Sequence, residues 1–126
     1  MHQHATVSNS EWTIMELLWE KPHTLMELVA QLHASVGWSK STVATMIRRM
    51  SEKGIVCSAE QGRAKVFSPA VTREEVSVQE TQSLLQRAYH GSIGLLVSTM
   101  VQENSLTAAD IEDLSRILEE AREEKK

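Results

Sequence analysis

The chain has 126 residues, 41% hydrophobic and 24% charged, with a net charge of −4 and one cysteine. That is the size of one domain, or of one small domain with an appended module, and the composition excludes wholesale disorder, collagen-like sequence and a chain that is coiled coil alone. No apolar run approaches the ~20 residues a membrane-spanning helix needs, and residues 1–10 hold no hydrophobic signal region, so a soluble, cytoplasmic protein without a membrane partner is expected.

From Ser10 onward, Trp12, Met15, Leu18 and Trp19 recur at helical spacing until Pro22 and His23 break the pattern, which predicts a first helix. Thr24 with Glu27 is a capping box, and Leu25, Leu28, Val29 and Leu32 behind it make the apolar stripe of a second helix that Gly37 ends. Ser39 caps a third helix whose Val43, Met46, Ile47 and Met50 face a core, and Gly54 after Lys53 suits a left-handed C-cap. The period then becomes extended. Ile55, Val56 and Cys57 favour strand, residues 64–68 alternate, and Glu60-Gln61-Gly62-Arg63 between them reads as a hairpin turn. Pro69 has no N–H for a ladder and stops the second strand. Three short helices and a two-stranded ribbon make a winged helix-turn-helix, expected at residues 1–70, in a mainly α chain.

Thr72 with Glu75 opens a fourth helix to about Tyr89, polar at first, with Leu84, Leu85, Ala88 and Tyr89 gathering apolar surface near its end. Gly91 breaks it. Ile93, Leu96, Val97, Met100 and Val101 pattern a fifth helix, and Thr107 with Asp110 opens a sixth, with Ile111, Leu114, Ile117, Leu118 and Ala121 along one face. An isolated piece of about 50 residues buries too little surface to be comfortable alone. Residues 71–126 are therefore expected to be a helical dimerisation domain, with Leu84, Leu85, Tyr89, Ile93, Leu96, Val97, Met100, Ile111, Leu114 and Leu118 carrying the contact between two copies. Folding back on the winged part as a monomer is the alternative.

Charge is unevenly spread. Residues 71–126 carry six Lys and Arg against eleven Asp and Glu, whereas between positions 39 and 70 Lys40, Arg48, Arg49, Lys53, Arg63 and Lys65 face only Glu52 and Glu60, a balance of +4. A basic stretch followed by an acidic tail suits a DNA-binding module with an oligomerisation segment behind it. With its apolar residues buried, the third helix presents Lys40, Ser41, Ala44, Thr45 and Arg48, with Thr42 and Arg49 at the margins. Hydroxyls and backbone N–H groups at a helix N-terminus bind phosphate, Arg48 can pair with guanine or phosphate, and the small Ala44 permits close approach or contact with a thymine methyl. A solvated polar face is the plainer reading of any one such helix. The added fact is that the ribbon tip carries Arg63 and Lys65, which suit phosphate.

Other constellations are thinner. His2-x-His4 has the spacing to grip a transition metal, but histidines at a chain end are mostly incidental, and no metal or other cofactor is expected. His33 and His90 sit where they can meet the last carbonyls of helices. A lone Cys57 cannot make an internal disulfide or a cysteine-based zinc site, and is expected as a small buried wing residue. Trp12, Trp19 and Trp38 read as core anchors rather than a stacking platform. No Ser-His-Asp setting, phosphate loop or metal triad points to an enzyme.

Taken in order, Glu11-Trp12 with Met15, Leu18-Trp19, Trp38-Ser39, Thr42 with Thr45, Arg49, Lys53-Gly54, Gly62-Arg63 and Phe67-Ser68-Pro69 resemble the penicillinase-repressor family of bacteria, of the BlaI/MecI type. The likeness runs from about Ser8 to Leu118, including the Tyr89-His90-Gly91 junction and Leu106-Thr107. It implies a homodimeric winged-helix repressor that binds double-stranded palindromic operator DNA and dimerises through its C-terminal helices. Lys40 and Ser41 stand where members often have Pro and a basic residue, and Ala44 where some carry Arg, which implies a different operator. In the best-known members a sensor-linked protease cuts the fifth helix at an Asn-Phe bond. The aligned pair here, and so the candidate cleavage point, is Thr99-Met100. The copper-responsive branch carries C-terminal Cys-x-Cys motifs, whereas this chain ends Glu123-Glu124-Lys125-Lys126, which argues against a metal-responsive repressor. A winged-helix module that docks a protein partner is the alternative from another class, but it gives Arg63 and Lys65 no evident use.

Overall fold

The computed structural model describes residues 6–126, which form six helices and three strands. They divide into two compact units, one reaching to Thr81 and the other spanning Gln82–Lys126. In the first unit α1 (Asn9–Glu20), α2 (Leu25–Val36) and α3 (Lys40–Glu52) each begin at a hydroxyl side chain that supplies an acceptor the helix start lacks. Thr24 and Glu27 form the expected reciprocal box, with bonds of 3.2 and 2.8 Å. A second box, unread in the sequence, starts α1: the Glu11 N–H donates to Ser8 Oγ at 3.2 Å and the Ser8 N–H to Glu11 Oε1 at 2.9 Å.

The α3 terminus is the sharp stop its sequence implies. Gly54 takes φ +83°, its N–H reaches the Ser51 carbonyl at 3.1 Å, and the Ile55 N–H reaches Met50 at 3.1 Å. This is a Schellman ending, and the apolar pair that accompanies it, Met50 and Ile55, is fully buried. The chain then enters β2 (Val56–Gln61) and β3 (Ala64–Pro69), an antiparallel hairpin in which Gln61 faces Ala64 and Val56 faces Pro69. Gly62 opens the two-residue turn at φ +63° while Arg63 keeps a negative φ, the pattern that matches the right-handed twist of the strands.

The ribbon has three strands, not the expected two. His23–Thr24, β1, pairs antiparallel with β3, placing His23 opposite Phe67 and Thr24 opposite Val66 in the order β1-β3-β2. Lys21 precedes a proline and is held extended at φ −169°, ψ 160°, so the link between α1 and α2 arrives straight enough to cover the free edge of β3. His23 is buried and its Nδ1–H donates to the Lys21 carbonyl at 2.7 Å.

Ile14, Met15 and Leu18 from α1, Leu28 and Leu32 from α2, and Val43, Ile47 and Met50 from α3 meet under Ile55, Val56 and Phe67 of the sheet. Trp12, Trp19 and Trp38 are half-buried against this core, as anchors rather than exposed plates, and Met46 is also only half-buried. The core continues past residue 70. Val71 and Val76 are buried, so the first turns of α4 (Arg73–Tyr89) pack with the winged core, and the compact unit reaches to Thr81. Thr72 and Glu75 cap α4 reciprocally at 3.0 and 3.2 Å.

In the second unit α4 stops at His90 and Gly91, with φ values of 51° and 83°, and α5 (Ile93–Gln102) and α6 (Ala108–Glu124) follow from caps at Ser92 and Thr107. Neither α5 nor α6 buries a residue. Leu85, Tyr89, Leu96, Val97 and Leu114 are half-buried, while Leu84, Ile93, Met100, Ile111 and Leu118 are exposed, up to 64% for Leu118.

Candidate nucleic-acid interface

Burying Val43, Ile47 and Met50 turns the opposite face of α3 to solvent by helical geometry alone. Lys40, Ser41, Thr42, Arg48 and Arg49 are exposed, and Ala44 and Thr45 are half-buried. At the helix start Ser39 Oγ accepts from the Thr42 N–H at 3.2 Å and lies 3.1 Å from Ser41 Oγ and 3.0 Å from Thr42 Oγ1. Three hydroxyls therefore surround a helix N-terminus where the N–H groups of Lys40 and Ser41 have no intrahelical acceptor, an arrangement that suits an anionic oxygen.

A groove of about 310 Å³ runs between α3 and β3, with Leu25, Ala44, Ile47 and Phe67 in it and Arg48 and Lys65 beside them. It brings together Ala44, Arg48 and Lys65, three residues singled out in sequence. Arg63 stands at the hairpin turn, and Thr42 and Arg49, seven positions apart, share the far margin of α3. Apolar walls flanked by Arg48 and Lys65, with the Glu52 carboxylate also at the edge, have the chemistry to suit the sugars and methyl groups of a nucleic acid.

The basic stretch is less uniform than its count of charges suggests. Lys53 is withdrawn from solvent: its ammonium donates to Glu11 Oε1 and to the Thr6 carbonyl, each at 2.6 Å, with the carboxylate 11% and the lysine 29% exposed. Burial works to raise the Glu11 pKa, but the Lys53 hydrogen bond, the Ser8 N–H and the Lys53 charge outweigh it and hold the carboxyl below its ordinary value. Arg48 faces Glu52 at 3.6 Å across an open helix surface, a contact too exposed to hold it. Lys40, Arg49, Arg63 and Lys65 make no ion pair among the described residues.

Cys57 corrects the sequence reading. It is exposed, because the pleat turns Val56 inward and its neighbour outward, and its Sγ lies 3.6 Å from the Ser68 carbonyl. His33 does not meet the last carbonyls of α2 as its position implied; its Nδ1 lies instead 3.4 Å from the carbonyl of Trp38, beyond the C-cap Gly37. His2 and His4 lie outside the described residues; among those described, no three His, Cys, Asp or Glu side chains form a group that would hold a metal ion. Among the same residues no helix is long and apolar enough to cross a membrane.

The model of the penicillinase repressor family matches residues 7–120. The chain belongs to the penicillinase repressor family. It is 27% identical over 121 residues to the penicillinase repressor of Bacillus licheniformis, covering 95% of this chain and 94% of that protein. It is 23% identical over 113 residues to the methicillin resistance regulatory protein MecI of Staphylococcus aureus, covering 89% and 92%. Among solved structures, the Bacillus licheniformis BlaI monomeric form in complex with the blaP half-operator superposes with a TM-score of 0.53 at 25% identity, over 60% of this chain and 93% of that one. The DNA-binding domain of the repressor BlaI in solution gives the same figures.

Two features of this site escaped the sequence. Ser8-x-x-Glu11 is a capping box that local pattern would have revealed. The Glu11–Lys53 pair spans 42 positions and carries no local signal.

Proposed function

We propose that this member of the penicillinase repressor family is a transcriptional repressor that binds double-stranded operator DNA as a homodimer. Residues up to Thr81 read the DNA and the helices of Gln82–Lys126 join the two copies. The observation that carries the reading is the row of unpaired cations, Lys40, Arg49, Arg63 and Lys65, around an exposed hydroxyl-lined α3 in a fold shared with BlaI on its half-operator. In this arrangement α3 enters the major groove, with Ser41, Thr42, Ala44, Thr45 and Arg48 nearest the bases. Arg63 and Lys65 hold phosphate from the wing, and Lys40 and Arg49 do so from the ends of α3.

Homodimerisation is supported by what the second unit lacks. Two amphipathic helices that bury nothing, with Ile93, Ile111 and Leu118 more than half exposed, need a second apolar surface to stay folded. Two-fold pairing makes the expected operator a palindrome. Thr99 and Met100 in α5 are the proposed point for a sensor-linked protease, supported by their alignment with the bond cut in the best-known family members; cutting there requires α5 to open locally first.

Selection of bound duplexes from random sequence by the full chain tests the reading. The expected outcome is a palindromic consensus whose affinity falls steeply with salt. Enrichment of no sequence over background refutes it. Mass spectrometry of the protein from derepressed cells tests the cleavage, which intact chain alone would refute.

A further inference from the structure

The start of α4 is fastened to the outer face of α1 by contacts that the core does not require. The Trp19 indole N–H donates to the Val71 carbonyl at 2.9 Å, 52 positions away. The same ring meets Trp12 edge-on, centroids 5.3 Å apart at 66°, which fixes its plane. Over the ring lies the guanidinium of Arg73, 4.7 Å from the centroid. Its two terminal nitrogens fork onto both carboxylate oxygens of Glu16, the Nη2–Oε2 bond being 3.0 Å and the other shorter.

Arg73 and Glu16 are about half exposed, so their pairing adds little to stability, and Val71 and Val76 already bury the start of the helix. What the fork and the ring add is direction. A bidentate pair sets the plane of the guanidinium, the ring sets its height, and the indole bond sets the residue just before the cap. A lysine in place of Arg73 would keep the charge and a contact with the ring but lose the fork that sets the plane.

We infer that Glu16, Trp19 and Arg73 are positioning residues that fix the direction in which α4 leaves the winged unit, and thereby the spacing between half-sites that the repressor accepts. The inference rests on the function proposed above. Two recognition helices joined through the chain gain from each other only where the link lets both engage at once, and a stiff exit narrows that range of spacings.

The test uses the full chain as wild type, Arg73→Ala, Arg73→Lys and Trp19→Phe. The probes are a palindromic duplex selected from random sequence by the wild type, the same duplex lengthened at its centre by about half a helical turn, ~5 base pairs, and a duplex holding one half-site. The half-site should bind all four proteins within about twofold. The wild type should lose roughly 30-fold or more on lengthening. Arg73→Ala and Trp19→Phe should bind the parent palindrome about tenfold more weakly yet lose less than about threefold on lengthening, with Arg73→Lys between them and the wild type. Spacing profiles that fall in parallel for all four proteins overturn the inference. So does an equal loss on the half-site and the palindrome, which would mark a role in folding alone. Failure of the wild type to select or bind any duplex is a different result: it removes the repressor reading itself, and the inference with it.

Discussion

Replacing Glu11 should unfold the winged unit more easily than its place on the first turn of a helix suggests. Glu11→Ala removes the acceptor of the Lys53 ammonium and one half of the α1 capping box. A hydrogen bond between charged partners contributes ~1.5–3 kcal/mol, and the lost half of the box up to ~1 kcal/mol. Lys53 remains 29% exposed and keeps the Thr6 carbonyl, so it can recruit water and adds little orphan penalty. The expected loss is therefore ~2–4 kcal/mol, and about half of that for Glu11→Gln, which keeps an acceptor. Urea unfolding followed by tryptophan fluorescence is the assay, because Trp12, Trp19 and Trp38 all lie in the first unit and report on it whatever the second does. With a slope of ~1–1.5 kcal/mol/M, the midpoint should fall by roughly 2 M for Glu11→Ala. The pH dependence has a definite sign. The folded carboxyl lies below its unfolded value, so its contribution is fully present above about pH 4.5 and is lost as pH falls through the folded pKa. The gap between wild type and Glu11→Gln should thus be constant near neutrality and narrow as pH falls below about 4.5 toward the folded value. A double-mutant cycle of Glu11→Gln with Lys53→Met that shows less than ~0.5 kcal/mol of coupling, or a gap that persists unchanged to about pH 3, would refute the account.

Because Lys53 is engaged inside the fold, Lys53→Met should leave the salt dependence of DNA binding unchanged, whereas Arg63→Ala should lower the slope of log K against log salt by about 0.9; equal changes in filter-binding titrations would place both residues on phosphate. Ile93→Asp and Leu118→Asp, at positions 63% and 64% exposed in one chain, should convert a dimer to monomer in analytical ultracentrifugation, and persistence of a dimer in both would move the interface elsewhere. Gly62→Ala meets open space but a φ of +63°, so it should cost ~1 kcal/mol through the backbone alone, read as a lower thermal midpoint in calorimetry, and an unchanged midpoint would deny the turn its strain.

What the sequence by itself determined was what depends on neighbours a few positions apart, including the Ser8–Glu11 box that went unread. Caps at Thr24, Ser39, Thr72 and Thr107, the glycine stops at Gly37 and Gly54, the turn at Gly62 and the buried stripe of α3 are all local, because a helix or a hairpin is specified by residues within about one turn. The exposed face of α3 was legible for the same reason: once Val43, Ile47 and Met50 are placed inside, the opposite residues have nowhere else to go. Only the tertiary structure decided which charges remain free. Lys53 looked like one more cation of the basic stretch until a carboxylate 42 residues away claimed it, and Cys57 looked buried until the sheet left that face of the wing uncovered. His23–Thr24 became a strand only because the edge of β3 lay beside it, and Arg73 met Glu16 and Trp19 only because Val71 and Val76 drew the start of α4 onto the winged core. Pairings of this kind depend on where distant segments come to rest against a shared apolar core, and no periodicity along the chain encodes the distance between them.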